Sequence, residues 1–297
     1  MSNKPRKMTL EKKHNLTGWA FLAPATFLIA VFSFWPMIKA LVLSFQTGKG
    51  RNMQMAGFTN YIRMFQDDVF IQSIKNTFFY FILQVPIMLV VAMVLACILN
   101  KKDLRFKGFF RTMIFLPCTT SLVAYSIIFR SLFANDGLVN YVLVNLGILD
   151  KPYNFLTQPF AAKMVILLGL LWRWTGYNMV FFLSGLQNIE YSVYEAAKID
   201  GASAIQTFFK ITVPLLKPTI LLTAIMSTNG TLQLFDESIN LTDGGPANAS
   251  ISMSHYIYNL CFKYVPNFGY AAAMSFFILL LVAVLALIQM RVGDKRD

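Results

Sequence analysis

The chain has 297 residues, of which 56% are hydrophobic and only 13% are charged. That charged share is about half of what soluble domains carry, so the composition argues against a soluble enzyme and for a membrane protein. The net charge of +12 is compatible with nucleic-acid binding, but no basic helix or aromatic RNA-binding motif accompanies it. Lys and Arg on the cytoplasmic side of a membrane protein explain this charge better, and no nucleic-acid partner is predicted.

Six apolar runs, separated by polar loops, are each long enough to cross the hydrocarbon layer as a helix. We therefore predict an all-α, polytopic membrane protein with a transmembrane domain over residues 18–290. A basic segment, 1–17, precedes this domain and a tail, 291–297, follows it. The predicted spans are 19–45, 78–99, 109–129, 163–186, 213–235 and 270–288.

Several runs carry local features that modify this simple picture. The apolar run from Trp19 is too long for a secretory signal peptide, so it is predicted to stay as an uncleaved first span. Pro24 and Pro36 predict a kink in it. In the third run, the polar stretch Pro117–Ser121 is expected to face other helices and not lipid. The weakly apolar piece 138–149 is too short to span and is predicted to lie on the membrane surface.

The distribution of basic residues predicts the orientation. Cytoplasmic loops of membrane proteins are enriched in Lys and Arg. The proposed inner segments hold 16 of the 26 Lys and Arg residues, whereas the proposed outer loops hold 6. Both termini are therefore predicted to be cytoplasmic. The inner segments are 1–17, 100–111, 189–217 and 291–297, and the outer loops are 46–75, 134–162 and 235–268.

Cysteine and histidine usage indicates neither disulfides nor a metal site. Cys97, Cys118 and Cys261 are widely spaced and lie in or near apolar runs, as is typical of unpaired packing residues. His14 and His255 are too few and too far apart in the sequence for a metal site. No metal and no resident cofactor is predicted.

A polar stretch, Tyr194–Pro218, separates the fourth and fifth runs on the predicted inner side. Ser192-Val193-Tyr194-Glu195 has the pattern of a capping box, which predicts a helix start. Asp200-Gly201 predicts a break, because Gly relaxes the backbone and Asp favours turns. A second helical piece is predicted over Ala202–Ile211. Together these features predict a helix–turn–helix at the cytoplasmic surface.

This loop resembles a known family signature. Glu195-Ala196-Ala197, with Gly201 four residues after Ala197 and then Pro214, resembles the EAA loop of ABC importer permeases. The closer similarity is to the maltose-type (MalF-like) carbohydrate importers, within the family of binding-protein-dependent transport inner-membrane components. The resemblance extends through Leu241–Pro246 and covers roughly Phe78 to the C-terminus.

The resemblance implies that the loop is a coupling helix seated in a cleft of a separate ATPase subunit. ATP and Mg would be bound by that subunit, in agreement with the absence of a phosphate-loop motif from this sequence. The resemblance also implies a second, homologous permease in a heterodimer, two ATPase copies and an extracytoplasmic binding protein that delivers sugar. Its docking core would be Glu195, Ala196, Ala197, Asp200 and Gly201.

Polar residues inside the fourth and fifth runs predict a substrate path, because such residues are costly in a bilayer unless they serve a site. The alternative is that they bind neighbouring helices together. Arg173 falls near mid-bilayer, at roughly 1.5 Å rise per residue, and could pair with an anionic group of the substrate. The candidate substrate-binding residues are Trp172, Arg173, Trp174, Gly176, Asn178, Ser227, Asn229, Gly230, Thr231 and Gln233.

The resemblance to the maltose-type permeases implies a sugar site in this region, with an oligosaccharide expected. Leu234 departs from that pattern, because a polar residue is expected there, and Arg173 departs as well. The identity of the sugar therefore stays open. Asp236 and Glu237 are predicted to lie at a helix end, at the interface and away from substrate.

Two other function classes stay open at this point. A secondary transporter driven by an ion gradient would need an intramembrane carboxylate, and none is predicted deep in a span. An intramembrane enzyme would need a His–carboxylate cluster, a Ser–His pair or metal-ligand spacing, and none is seen. The sequence favours a non-enzymatic permease subunit of an ATP-driven sugar importer in the bacterial plasma membrane.

Overall fold

The computed structural model describes residues 10–49, 52–101 and 103–293. The predicted basic segments therefore lie partly outside the described residues, at 1–9 and 294–297. Apart from one short antiparallel hairpin, the regular secondary structure of the described part is helical. The predicted helical membrane fold is confirmed at this level, whereas the number of spans and the orientation of the termini stay predictions.

The secondary structure alternates long helices with short ones. The first half contains α1 (Leu10–Ile29), α2 (Trp35–Ser44), β1 (Gln46–Lys49), β2 (Asn52–Met55), α3 (Thr59–Met64), α4 (Asp68–Asn100), α5 (Lys107–Thr119), α6 (Leu122–Leu132) and α7 (Leu138–Asn145). The second half contains α8 (Pro159–Gln187), α9 (Tyr191–Ile199), α10 (Ala204–Thr207), α11 (Val213–Leu215), α12 (Lys217–Leu232), α13 (Asp236–Thr242), α14 (Met253–Tyr258) and α15 (Phe268–Gly293). Three π-helical turns lie at Ala30–Phe34, Phe208–Thr212 and Asn259–Lys263.

Among the described residues, four helices are long and apolar enough to cross a membrane. They are His14–Ser44, which joins α1 and α2 through a π turn, together with α4, α8 and α15. Two further helix pairs meet the same criterion but are bent, by 99° between α5 and α6 and by 72° between α10–α11 and α12. By length and composition, the described part of the chain therefore has four candidate spans, or up to six if each bent pair is one span.

The predicted third span, 109–129, is not one straight helix. Thr120 and Ser121 adopt extended backbone conformations between α5 and α6. The Thr119 and Thr120 hydroxyls donate to the carbonyls of Leu116 and Pro117, at 2.8 and 2.7 Å. Side-chain hydroxyls thus replace helical backbone donors at this point. The polar stretch that the sequence placed inside a span marks the break between two helices.

The predicted helix start at Ser192–Glu195 is wrong in its detail. Helix α9 begins at Tyr191 with Glu190 as its N-cap residue, and no side chain caps it. The Ser192 hydroxyl instead donates to Glu190 Oε2 at 3.2 Å. A capping box does occur, but at the second helical piece. There Ser203 caps α10, because its hydroxyl accepts from the Gln206 N–H at 3.3 Å and its own N–H donates to Gln206 Oε1 at 2.8 Å.

The predicted outer loops contain ordered structure. The loop 46–75 holds the hairpin, α3 and the start of α4, whose first N–H groups donate to the carboxylate of Asp67. The other oxygen of Asp67 accepts from the hydroxyls of Tyr256 and Tyr270, each at 2.7 Å. One carboxylate thus joins the start of α4 to α14 and α15. Helix α7 occupies the piece for which a surface helix is predicted.

Helices α4 and α8 form the centre of the molecule. A buried cluster that includes Ala92, Met179 and Phe182 lies between them. Helix α5 packs closely on α8 at Gly176, where a Cβ would lie 1.9 Å from the Ile114 carbonyl oxygen. In contrast, α1 keeps side chains such as Phe21 exposed, at 82%. An apolar helix this exposed needs lipid or another subunit around it.

A buried histidine links the two short helices α13 and α14. His255 is fully buried, and its Nδ1 lies 2.9 Å from the Ser238 hydroxyl. Its Nε2 lies 3.7 Å from Asp243, which also forms an ion pair with Lys263 at 3.0 Å. Burial lowers the pKa of His255 to about 4, and the Asp243 carboxylate opposes this shift only in part. His255 is therefore neutral in the folded protein near pH 7.

We expect this histidine to make the protein less stable in mild acid. Between its ordinary pKa of 6.5 and about 4, the unfolded chain binds a proton that the folded chain resists. Unfolding is therefore favoured as the pH falls through this window, by at most about 3 kcal/mol. Thermal melts of the detergent-solubilised protein at pH 7 and pH 5 measure the effect. His255→Gln should remove most of the difference, and an unchanged pH dependence in that variant would contradict the assignment.

Candidate functional site

A cavity of about 300 Å³ lies between α4, α8, α12 and α13. It combines large apolar and aromatic side chains with a few amides, hydroxyls and carboxylates, as small-molecule sites commonly do. Its walls are formed by Gln84, Met88, Leu122, Leu170, Trp174, Tyr177, Asn178, Met226, Ser227, Gly230, Thr231, Gln233, Leu234, Phe235, Asp236 and Glu237.

Six of the ten predicted substrate residues lie in this cavity wall. The structure brings together two groups that are distant in sequence. Ser227 donates to Asn178 Oδ1 at 3.3 Å, and Thr231 donates to Gln84 Oε1 at 2.5 Å. These hydrogen bonds hold the polar groups of three helices around one space. The six residues are Trp174, Asn178, Ser227, Gly230, Thr231 and Gln233.

The other four predicted substrate residues lie outside the wall of this cavity. Trp172 stacks on Tyr125, with ring centroids 6.1 Å apart. Gly176 lies against the backbone of α5. Asn229 accepts a hydrogen bond from the Gln233 side chain on the exposed side of α12. The fourth, Arg173, has a separate role in the packing.

Arg173 binds the break between α5 and α6. Its side chain is buried, and its guanidinium donates to the carbonyls of Thr120, Pro117 and Cys118 at 2.9, 3.4 and 3.4 Å. These carbonyls lie at the C-terminal end of α5, where a cation is favourable because the helix dipole is negative there. The position of Arg173 is therefore explained by the bent helix, with no anionic group of a substrate required.

Sequence reasoning missed part of the wall. Gln84 and Tyr177 line it as well. Gln84-Val85-Pro86 interrupts the otherwise apolar run 78–99, and this interruption was a usable signal for Gln84. Asp236 and Glu237 also line it, although their place at a helix end suggested an interfacial position. Glu237 is only 4% exposed. The signal was absent for these carboxylates, because only the packing of α13 against α8 brings them to the cavity.

A second candidate site is the helical elbow formed by α9 and α10. Asp200 ends α9, and Gly201 has a φ of +77°, a conformation that Gly adopts without strain. The hydroxyls of Tyr194 and Thr212 lie 3.4 Å apart and join the two arms. Of the predicted docking residues, Ala197 is buried and the remaining four are exposed: Glu195, Ala196, Asp200 and Gly201.

The elbow also presents apolar side chains to its surroundings. Ile199 is 84% exposed and Ile205 is 72% exposed. Both belong to the predicted cytoplasmic loop, where lipid would not cover them. Exposed apolar groups beside charged ones are typical of a protein interface.

Comparison with known proteins establishes the family. The model for binding-protein-dependent transport system inner membrane components matches residues 70–296. The chain belongs to this family. The family resemblance that the EAA loop indicated is thereby confirmed, together with the predicted location in the bacterial plasma membrane.

Relatives within this family are similar over nearly the whole chain. The lactose transport system permease protein LacF of Rhizobium radiobacter is 50% identical over 292 residues, which cover 98% of each chain. The arabinooligosaccharides transport system permease protein AraP of Halalkalibacterium halodurans is 31% identical over 288 residues, 96% of this chain and 90% of the relative.

Among solved structures, a similar chain occurs in the bacterial alginate ABC transporter in complex with alginate pentasaccharide-bound periplasmic protein. It superposes with a TM-score of 0.84 at 25% identity, over 96% of both chains. The fold of this chain is therefore that of an ABC importer permease.

Proposed function

We propose that this permease subunit forms half of the translocation path of an ATP-driven sugar importer. The observation that carries the proposal is the cavity between α4, α8, α12 and α13. Amides and hydroxyls there hydrogen-bond sugar hydroxyls, while aromatic rings cover the apolar faces of sugar rings. The similarity to a lactose permease supports a small neutral oligosaccharide, with lactose as the first probe.

We further propose that the elbow Tyr191–Thr207 is the coupling helix of the EAA loop, docked on a separate ATPase. Its exposed face offers Glu195 for a basic residue of that partner, and Ile199 and Ile205 for an apolar cleft. Small side chains at Ala196 and Gly201 allow close approach. The ATPase would bind ATP and Mg, and this chain would transmit its movement to the membrane helices.

The complete assembly would contain a second, homologous permease and two ATPase subunits, with sugar delivered by an extracytoplasmic binding protein. Each bent helix pair would count as one span, so the chain would cross the lipid bilayer six times with both termini in the cytoplasm. The large exposed surface of α1 supports the presence of neighbouring lipid or subunits.

The function is tested by lactose uptake into proteoliposomes that contain the permease with its cognate partners. We expect uptake to require ATP and the binding protein, and to continue when ionophores collapse the ion gradients. Uptake that persists without ATP but stops with ionophores would favour the secondary transporter instead.

The orientation is tested by labelling a single Cys placed at Ile199, a highly exposed position. In right-side-out vesicles, a membrane-impermeant maleimide should fail to reach it until the membrane is opened. A Cys at Asp136, in the predicted outer loop, serves as the control that should label at once. Labelling of the Ile199 position from outside would overturn the coupling assignment.

A further inference from the structure

Glu237 is a buried carboxylate in the cavity wall for which no role is yet assigned. It is only 4% exposed and belongs to the first turn of α13. Trp174 projects from the middle of α8. Both side chains line the same cavity. A carboxylate and an indole ring thus line one space that is large enough for a small ligand.

The charge of this wall is negative. Asp236 is the second carboxylate in it, and none of the described residues that line the cavity is Lys or Arg. Arg173 is a neighbour in sequence, but its guanidinium is bound to the carbonyls of the α5–α6 break. The Nη atoms make these hydrogen bonds, whereas Nε has no hydrogen-bond partner among the described residues. The guanidinium carbon lies 5.5 Å from the centroid of the Trp174 ring, and its positive charge moderates the field at Glu237.

We infer that Glu237 and Trp174 form a subsite for one uncharged sugar ring and exclude sugars that carry a carboxylate. The inference rests on the proposed sugar transport and names its substrate class. The carboxylate oxygens accept from sugar hydroxyls, and such charge-assisted hydrogen bonds are stronger than neutral ones. The indole ring packs on the apolar face of the same ring.

The exclusion of acidic sugars follows from the same geometry. A carboxylate on the ligand would be held near Glu237 and Asp236 in a partly desolvated space, where charges of like sign repel strongly. No cation of the described cavity wall offsets this repulsion. A uronate- or aldonate-bearing sugar is therefore rejected even when its overall shape fits.

The test measures occupancy of the cavity by protection of a reporter cysteine. Gly230 lines the cavity, and a Cβ there meets no atom within 4 Å, so Gly230→Cys fits without displacing a neighbour. The native Cys97, Cys118 and Cys261 are replaced by Ser, and the full complex is assembled without its binding protein. Lactose is compared with lactobionate, which carries the same galactosyl unit joined to a carboxylate, for the concentration that halves maleimide labelling.

We expect lactose to protect the reporter and lactobionate to protect it at least about tenfold less well, as one charged interaction allows. Glu237→Gln should raise the half-protection concentration of lactose about tenfold. It should also reduce the difference between the half-protection concentrations of lactose and lactobionate. Glu237→Asp, which keeps the charge but shortens the side chain, should weaken lactose protection while lactobionate stays excluded. Asp136→Asn, at an exposed outer position, is the control and should change neither value.

The outcomes separate this inference from the proposed function. If Glu237→Gln leaves both half-protection concentrations unchanged, the subsite is wrong, and ATP-driven uptake of lactose by the unmodified complex then still supports the proposed function. If the complex with Glu237→Gln fails to assemble, the Glu237→Asp variant provides the test. Equal protection by lactose and lactobionate in the Glu237→Asp variant would overturn the inference. If the unmodified complex does not take up lactose at all, the choice of lactose in the proposed function fails first.

Discussion

Glu195→Lys is expected to abolish sugar uptake while the chain remains folded in the membrane. Glu195 is exposed on α9, and its carboxylate has no hydrogen-bond or ion-pair partner among the described residues. Reversing its charge therefore removes nothing from the fold of this chain. At an interface the same reversal places two like charges together, which costs several kcal/mol and disfavours docking.

Two measurements separate docking from folding in this variant. Co-purification of the ATPase should fall sharply, whereas membrane insertion and the melting temperature should stay as in the unmodified protein. Glu195→Gln should keep part of the uptake, because it removes the charge without reversing it. Asp136→Lys, an exposed charge reversal on the predicted outer side, is the matched control. Normal ATPase docking and normal uptake by Glu195→Lys would refute the coupling role.

A substitution at Gly201 tests the same proposed docking surface at a position where a small residue allows close approach of the ATPase. No atom lies within 4 Å of a Cβ built there, so the space is open within this chain. The positive φ of Gly201 makes a side chain cost about 1 kcal/mol of strain. Gly201→Asp should therefore leave the fold in place and reduce uptake by obstructing the partner.

Gly176→Ala is expected to destabilise the fold strongly, which is the second large effect. A methyl group at Gly176 would lie 1.9 Å from the Ile114 carbonyl oxygen and 3.1 Å from the Phe115 Cα. Backbone atoms cannot turn away as the end of a side chain can, so α5 and α8 must separate. Overpacking of this kind costs about 1–3 kcal/mol or more. Separation would also pull the α5–α6 break away from Arg173, which adds to the cost.

The measurement is the yield of monodisperse protein in detergent and its melting temperature. Gly230→Ala is the matched control, because it makes the same chemical change on α12 in open space. We expect that control to melt like the unmodified protein, while Gly176→Ala melts several degrees lower or aggregates. Equal melting of the two variants would show that α5 and α8 do not approach as closely as described.

The two glycines illustrate what a sequence pattern can reveal. Gly176 and Gly230 were both predicted to bind substrate, because each lies in a polar patch of an apolar run. In the structure one contacts a neighbouring helix and the other lines the cavity. The two polar patches have similar compositions. The roles of Gly176 and Gly230 differ because α5 packs directly on Gly176, whereas Gly230 faces open space in the cavity.

The roles of the charged residues Arg173 and Glu237 could not be predicted from the sequence pattern either. Arg173 was a candidate for an anionic substrate because it lies in the middle of an apolar run, and an isolated charge there requires a partner. Its partners are backbone carbonyls, freed by a helix break that no single residue type announces. Glu237 was placed at an interface because it follows a span, yet the turn before α13 directs it to the cavity.

The amino-acid sequence was sufficient to predict the membrane class, the approximate positions of the apolar helices and the family, because hydropathy and a contiguous loop motif are local properties of the chain. It also located the elbow and its turn, since Gly201 and Asp200 act through their own backbone. The bends in the helices and the set of polar side chains that share one cavity could be seen only in the folded chain. Those features depend on contacts between residues far apart in sequence, where a side chain's role is set by the neighbour it meets.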